Sequence, residues 1–175
     1  MEKTRIDLSR IGTRDALDLA VLVEEEACER YTELSQQMET HRNAEAGRFF
    51  RFMADNEAKH RAALAARRYL LFGSEPTAVH RAMIFDIEAP DYSEVRALDT
   101  ERMALRVAMR AEEKAHDFFV AALEQVTDSE VRKLFTELRD EEVHHRELVE
   151  EQLSRLPPDP ALTAEDYADE PVSID

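Results

Sequence analysis

Two pairs of segments in this chain carry the same combination of glutamate and histidine. In each pair, a segment with one distinctive glutamate is followed by a segment with the pattern Glu-x-x-His. The six residues are, in chain order, Glu24, Glu57, His60, Glu112, Glu142 and His145. Four carboxylates and two imidazoles are the ligand set of a two-metal site inside a helical bundle. Because buried negative charges without partners are strongly destabilising, bound metal cations are the expected compensation.

A single Glu-x-x-His pattern is weak evidence in a chain this acidic, and two copies overlap near residue 142. The helical register separates them, since residues three or four apart share a face. Glu142 follows Leu138 by four residues and continues its apolar face, whereas Glu141 points partly off that face. We therefore expect Glu142 and His145 to face inward, and Glu141 and His144 to be solvated neighbours.

The same register identifies the distinctive glutamates of the other two segments. Glu24 lies seven residues before Tyr31, and Glu112 lies seven before Phe119, so each acid shares an inward line with an aromatic ring. Tyr31 is expected to lie in the core with its hydroxyl bonded to a partner. The more specific hypothesis gives Tyr31 a catalytic role, through a hydrogen bond to a ligand carboxylate or short-lived radical chemistry.

An internal repeat supports the choice of ligands. The first and third apolar segments align without gaps at an offset of 88 residues, and the second and fourth align at an offset of 85. Both alignments place each candidate ligand of the first half on a residue of the same type in the second half. This predicts two similar halves around a pseudo-twofold axis. His116 lies near Glu112 in sequence but aligns with Cys28, so the repeat does not support it as a ligand.

The elements that must position these residues are four long helices. Apolar residues recur at helical spacing over about residues 13–38, 44–72, 93–126 and 128–156, with Thr13 as the expected N-cap of the first helix. The connection over residues 73–92 could extend to ~65 Å, and a helix of this length spans only ~40 Å. It can therefore bring the third helix parallel to the second, with a short helix near residues 78–85 on the way.

Composition limits the alternatives. The chain has 175 residues, three glycines, no tryptophan and 35% charged residues, which favours one all-α domain over residues 1–156 and a flexible acidic tail over 157–175. A net charge of −16 argues against nucleic acid and anionic membranes as partners. The single cysteine excludes an intramolecular disulfide, and the N-terminus lacks an apolar leader, so a cytoplasmic location is the default expectation.

Three stretches resemble the rubrerythrin branch of the ferritin-like superfamily: LAVLVEEEACERYTEL, NEAKH and ELRDEEVHHREL. The resemblance covers about residues 14–155. It implies a ferritin-like four-helix bundle with a long crossover between helices two and three, and a non-haem di-iron centre. The ligand roles that it carries over fall on Glu24, Glu57, His60, Glu112, Glu142 and His145.

The chain also departs from that family. Rubrerythrins proper carry a further glutamate where this chain has Ala115, and a rubredoxin domain for which this chain lacks the cysteines. It therefore looks like the rubredoxin-free members, including the ferritin-like domains of membrane iron transporters.

The resemblance implies that two iron ions bind per site, with manganese or zinc as substitutes. The expected activity is oxidation of Fe(II) with O₂ or H₂O₂. We also expect an external electron donor, and we expect the chain to form a homodimer. One alternative is an iron-sensing or iron-delivering module of a membrane transporter without turnover, if the natural chain is longer. Another is a plain helical interaction protein.

Overall fold

The computed structural model describes residues 7–84 and 100–157. Within them the chain forms five helices and no strand. They are α1 (Thr13–Thr40), α2 (Ala44–Phe72), α3 (Arg81–Ile84), α4 (Glu101–Gln125) and α5 (Ser129–Arg155). The all-α prediction is confirmed, and α3 is the short helix expected within the crossover. The prediction that the third helix runs continuously from about residue 93 is wrong, because Thr100 is extended and caps α4, with its side chain accepting a hydrogen bond from the N–H of Met103. Residues 85–99, which hold part of the crossover, and the tail from residue 158 lie outside the described residues.

Side chains and glycine set the helix ends as the sequence suggests, with one exception. The Asp128 carboxylate accepts hydrogen bonds from the backbone N–H groups of Glu130 and Val131, at 2.8 and 3.0 Å, and begins α5. Gly73 ends α2 with φ of 57°, a left-handed conformation that glycine adopts without steric penalty. The prediction that Thr13 caps α1 is wrong by one position. Gly12 occupies the cap, and Thr13 is the first helical residue.

The hydrophobic core is divided into two clusters, one towards each end of the bundle. One cluster joins the N-terminal half of α1, the C-terminal half of α2, the C-terminal half of α4 and the N-terminal half of α5. The other joins the four opposite halves. Helix α4 therefore runs parallel to α2 and antiparallel to α1, which confirms the long crossover. Glu24, Glu57, Glu112 and Glu142 fall in sequence between the segments that form the two clusters.

The beginning of the crossover is fixed to the bundle by Arg68. Its guanidinium donates to the Asp18 carboxylate at 2.8 and 3.3 Å, and to the carbonyl oxygens of Gly73 at 2.8 Å and Glu75 at 2.6 Å. Arg68 therefore donates to a carbonyl oxygen at the end of α2 that has no partner within the helix, and its ion pair with Asp18 connects that end to α1. None of the helices in residues 7–84 and 100–157 combines the length and apolar character that a bilayer span requires.

Candidate metal centre

The structure brings all six sequence-predicted residues together between the two hydrophobic clusters. Each long helix contributes: α1 and α4 supply one carboxylate each, while α2 and α5 each supply a glutamate and a histidine three residues later. Five of the six are buried and one is half-buried. The buried residues are Glu24, Glu57, Glu112, Glu142 and His145, and the half-buried residue is His60.

The more deeply buried part of the site is organised around His145. Its Nδ1 atom lies 3.2 Å from Oε1 of Glu57, 3.5 Å from Oε2 of Glu112 and 4.0 Å from Oε2 of Glu142. One donor atom each from Glu112, Glu142 and His145 lies within 4.8 Å of the others. These atoms are close enough to bind one cation together.

The other part of the site is organised around His60 and faces solvent. Nδ1 of His60 lies 3.8 Å from Oε2 of Glu24, 3.9 Å from Oε2 of Glu57 and 3.9 Å from Oε2 of Glu141. The side chain of His60 is 30% exposed and that of Glu141 is 41% exposed. A second group of donors within 4.8 Å of one another therefore consists of Glu24, His60 and Glu141.

Glu141 lies closer to the predicted ligands than a solvated neighbour of the site would. Its side chain is partly exposed, but its carboxylate reaches the donor atoms of two other helices. A usable signal was its position four residues before His145, since residues four apart on a helix are neighbours. The expectation for His144 agrees with the structure: its side chain is 68% exposed and lies 3.8 Å from Glu147, away from the cluster.

Aromatic contacts reproduce the internal repeat around the site. The rings of His60 and His145 stack with centroids 5.5 Å apart and planes 11° apart. On either side, Tyr31 stacks on Phe50 at 6.2 Å, and the repeat equivalents Phe119 and Phe135 pack at 5.5 Å. The two halves thus place equivalent side chains around one centre.

Tyr31 breaks this equivalence. Its ring is fully buried, and its hydroxyl donates a hydrogen bond to Oε1 of Glu112. Burial, together with the nearby carboxylates of Glu112 and Glu57, raises the pKa of Tyr31 well above its usual value, so the phenol remains a neutral donor. Phe119, at the equivalent position in the second half, has no hydroxyl to offer Glu24.

The carboxylates differ in proton affinity. Burial raises the pKa of Glu24 to about 7, because removal from water disfavours the charged form. Burial alone would also raise the pKa of Glu112. Its contacts with His145, Glu142 and the Tyr31 hydroxyl stabilise the charged form more strongly, so the pKa of Glu112 falls below its usual value.

The two imidazoles are shifted in opposite directions. Burial alone would lower the pKa of His145, but contact with Glu112 and the charges of Glu24 and Glu141 outweigh that effect and raise it. The pKa of His60 is lowered, first by burial and then by the neighbouring charge of His145.

The donor atoms fit a pair of divalent transition-metal ions. Oε2 of Glu112, Nδ1 of His145 and Nδ1 of His60 are buried without a hydrogen-bond partner, whereas buried polar atoms are normally paired. When all four predicted carboxylate ligands are ionised they carry four negative charges, which two divalent cations would neutralise. Mixed imidazole and carboxylate donors suit Fe²⁺, Mn²⁺ or Zn²⁺ better than Mg²⁺ or Ca²⁺.

The remaining sequence candidates lie outside this cluster in the described parts of the chain. Nδ1 of His116 is 3.1 Å from Oδ1 of Asp117, and His116 belongs to none of the donor groups. Cys28 is a half-buried free thiol. Both placements agree with the internal repeat, in which His116 aligns with Cys28 and neither residue is predicted to be a ligand.

A four-helix bundle with one long crossover and an inward set of four glutamates and two Glu-x-x-His histidines defines the ferritin-like class of helical proteins. Within that class, the Rubrerythrin family profile matches residues 15–153, and the chain belongs to the rubrerythrin family.

One solved structure with the same fold is an uncharacterised conserved protein from Magnetospirillum magnetotacticum MS-1. It shares 25% sequence identity with this chain at a TM-score of 0.73, and the match covers 87% of this chain and 100% of that one. Among curated proteins, none matches the sequence significantly.

Proposed function

We propose that this protein is a non-haem di-iron protein that oxidises Fe(II) with O₂ or H₂O₂ and serves iron or peroxide homeostasis. The observation that carries the proposal is that buried donor atoms of His60, Glu112 and His145, on three helices, lack hydrogen-bond partners and lie beside the carboxylates of the other predicted ligands. Membership of the rubrerythrin family supports the same reading.

Glu57 is the residue best placed to hold two ions in one site. Its Oε1 atom lies 3.2 Å from Nδ1 of His145, and its Oε2 atom lies 3.9 Å from Nδ1 of His60. One carboxylate oxygen therefore faces each imidazole, so Glu57 would take part in holding both ions. Glu24 and His60 would hold one ion with it, and Glu112, Glu142 and His145 would hold the other.

Two bound Fe(II) ions would supply one electron each, and these two electrons with two protons reduce one H₂O₂ to two molecules of water. The two hydrophobic clusters flank the site, and its part around His145 is shielded from bulk water. Tyr31 keeps its proton and holds Glu112 in place, so we assign it a positioning role. The radical alternative for Tyr31 stays a prediction, which electron paramagnetic resonance after peroxide addition would test.

Anaerobic Fe²⁺ titration followed by addition of O₂ or H₂O₂ tests the proposal. We expect saturation near two Fe²⁺ per chain and then an oxidant-dependent absorbance change, which recurs when further Fe²⁺ and oxidant are added. His145→Ala should lose one binding event and the turnover, and the adjacent His144→Ala is the matched control. Binding of two Fe²⁺ without turnover would favour the sensing or delivery module, whereas absence of Fe²⁺ uptake would refute a di-iron function.

A further inference from the structure

We infer that Glu141 is a seventh metal-binding side chain, which supplies a carboxylate to the solvent-facing position beside His60. The inference rests on the proposed two-metal site and makes its two positions unequal. The first support is geometric: donor atoms of Glu141, Glu24 and His60 come from three helices and lie within 4.8 Å of one another.

The spacing of the donor atoms around Glu141 is suited to a cation bound between them. Nδ1 of His60 is buried without a hydrogen-bond partner, although it lies only 3.8 to 3.9 Å from carboxylate oxygens of Glu24, Glu57 and Glu141. Those distances are too long for direct hydrogen bonds. They leave separations across which one cation could be bound by His60 and the carboxylates together.

Exposure shows which side of the site an entering cation meets first. The side chains of Glu24, Glu57, Glu112, Glu142 and His145 are almost completely buried. His60 and Glu141 are the partly exposed members of the cluster, at 30% and 41%. A carboxylate that borders both solvent and the interior donors can bind a hydrated cation before that cation loses its water.

The internal repeat shows that this carboxylate belongs to one half alone. At the offset of 85 residues that places His60 on His145, Glu141 falls on Asn56. An amide is a weaker ligand for a divalent cation than a carboxylate. Conversely, Tyr31 contacts a ligand in the buried half, where the other half has Phe119. The His60 position is therefore the open one with an added carboxylate, and the His145 position is the closed one.

The test compares Glu141→Gln with the unmodified chain in anaerobic titrations with Co²⁺, which reports ligand binding through its visible absorption without undergoing oxidation. The full chain should bind two equivalents. Glu141→Gln should retain one and bind the second about tenfold or more weakly, with a changed absorption for that second equivalent. The matched control is Glu150→Gln, an exposed residue of the same helix with the same charge change.

Each outcome bears on a separate claim. Identical two-site isotherms for Glu141→Gln and the full chain would overturn the role of Glu141 while leaving the two-metal site intact. Equal weakening by Glu150→Gln would also overturn it, because general surface charge would then explain the effect. If the full chain bound no Co²⁺ or Fe²⁺, the proposed function itself would fail. Circular dichroism of the metal-free variant confirms that it is folded.

Discussion

The hydroxyl of Tyr31 donates a hydrogen bond to Oε1 of Glu112, and this bond joins α1 of the first half to α4 of the second half. Both residues are fully buried. The acceptor is charged, since the pKa of Glu112 lies below its usual value. A hydrogen bond to a buried charge is worth more than one between neutral groups, so this contact contributes both to the order of the site and to the stability of the bundle.

Tyr31→Phe should therefore destabilise the metal-free protein by about 1.5–3 kcal/mol, the range for hydrogen bonds to charged groups. The ring and its stacking on Phe50 are retained, so the loss reports the hydroxyl. Urea unfolding at neutral pH measures the difference. Tyr69→Phe removes a hydroxyl from a side chain that is 67% exposed, and its stability should be unchanged. Equal stability of Tyr31→Phe and the unmodified chain would contradict the structure of this contact.

Arg68→Ala should be among the more damaging substitutions outside the candidate site. It would leave Asp18 charged and largely buried, and it would remove the hydrogen bonds to the carbonyl oxygens of Gly73 and Glu75. Loss of one partner from a buried ion pair costs about 3–5 kcal/mol. The control is Arg67→Ala, whose 3.4 Å pair with Glu137 is exposed and is worth about 1 kcal/mol or less. Chemical denaturation of both variants gives the comparison, and similar losses would contradict the assigned role of Arg68.

The helices and the inward faces could be predicted from the sequence because both follow from local periodicity. Leu138 and Glu142 share a face by spacing alone, and α2 begins and ends at the predicted residues. The crossover could be predicted from its length, since a long connection permits parallel helices. The helix positions and inward faces depend on residues close in sequence, and the crossover depends on the distance that the connecting segment can span.

Glu141 and the cap of α1 show what periodicity misses. A helical projection gives the direction in which Glu141 leaves its helix, but its long flexible side chain reaches back towards His60 on another helix. Its spacing from His145 indicates proximity to the site, but the contact with His60 also depends on how α5 is placed relative to α2. The bond between Tyr31 and Glu112 also depends on how two helices pack, so the sequence suggested a partner for the hydroxyl without identifying it. At the start of α1 the sequence predicted Thr13 as the cap, because threonine is a favoured capping residue, but the helix begins one residue earlier and Gly12 is the cap.

The metal-free protein should lose stability as pH rises from about 4.5 to about 7 through the ionisation of Glu24. Its pKa is raised from 4.5 to about 7 on folding, so the folded state retains a proton that the unfolded state releases. Stability from this group is fully present below pH 4.5 and is lost as pH rises through 7. The size is on the order of 3 kcal/mol, from 1.36 kcal/mol per pH unit.

The measurement is the difference between the unmodified chain and Glu24→Gln, since other groups also titrate. The raised pKa of His145 gives stability that is lost as pH rises above 6.5, while the lowered pKa of His60 acts in the opposite direction near the same pH. Urea unfolding at pH 5 and pH 8 should show that Glu24→Gln is relatively more stable at pH 8. A pH-independent difference between the two proteins would show that Glu24 does not titrate on this scale.

Removal of metal should lower the stability of the unmodified protein, because cations that bind the folded state alone shift the unfolding equilibrium. At a free metal concentration 100 times Kd, the gain is about 2.7 kcal/mol per site. Thermal unfolding with Fe²⁺ under anaerobic conditions, before and after a chelator, measures this shift. Glu57→Gln should abolish most of it, since the oxygens of Glu57 face both imidazoles. His144→Ala alters an exposed residue beside the site and should keep the full shift. If chelation left the transition temperature unchanged, or if Glu57→Gln responded to metal as the unmodified chain does, the buried carboxylates would have to be stabilised by protons and not by cations.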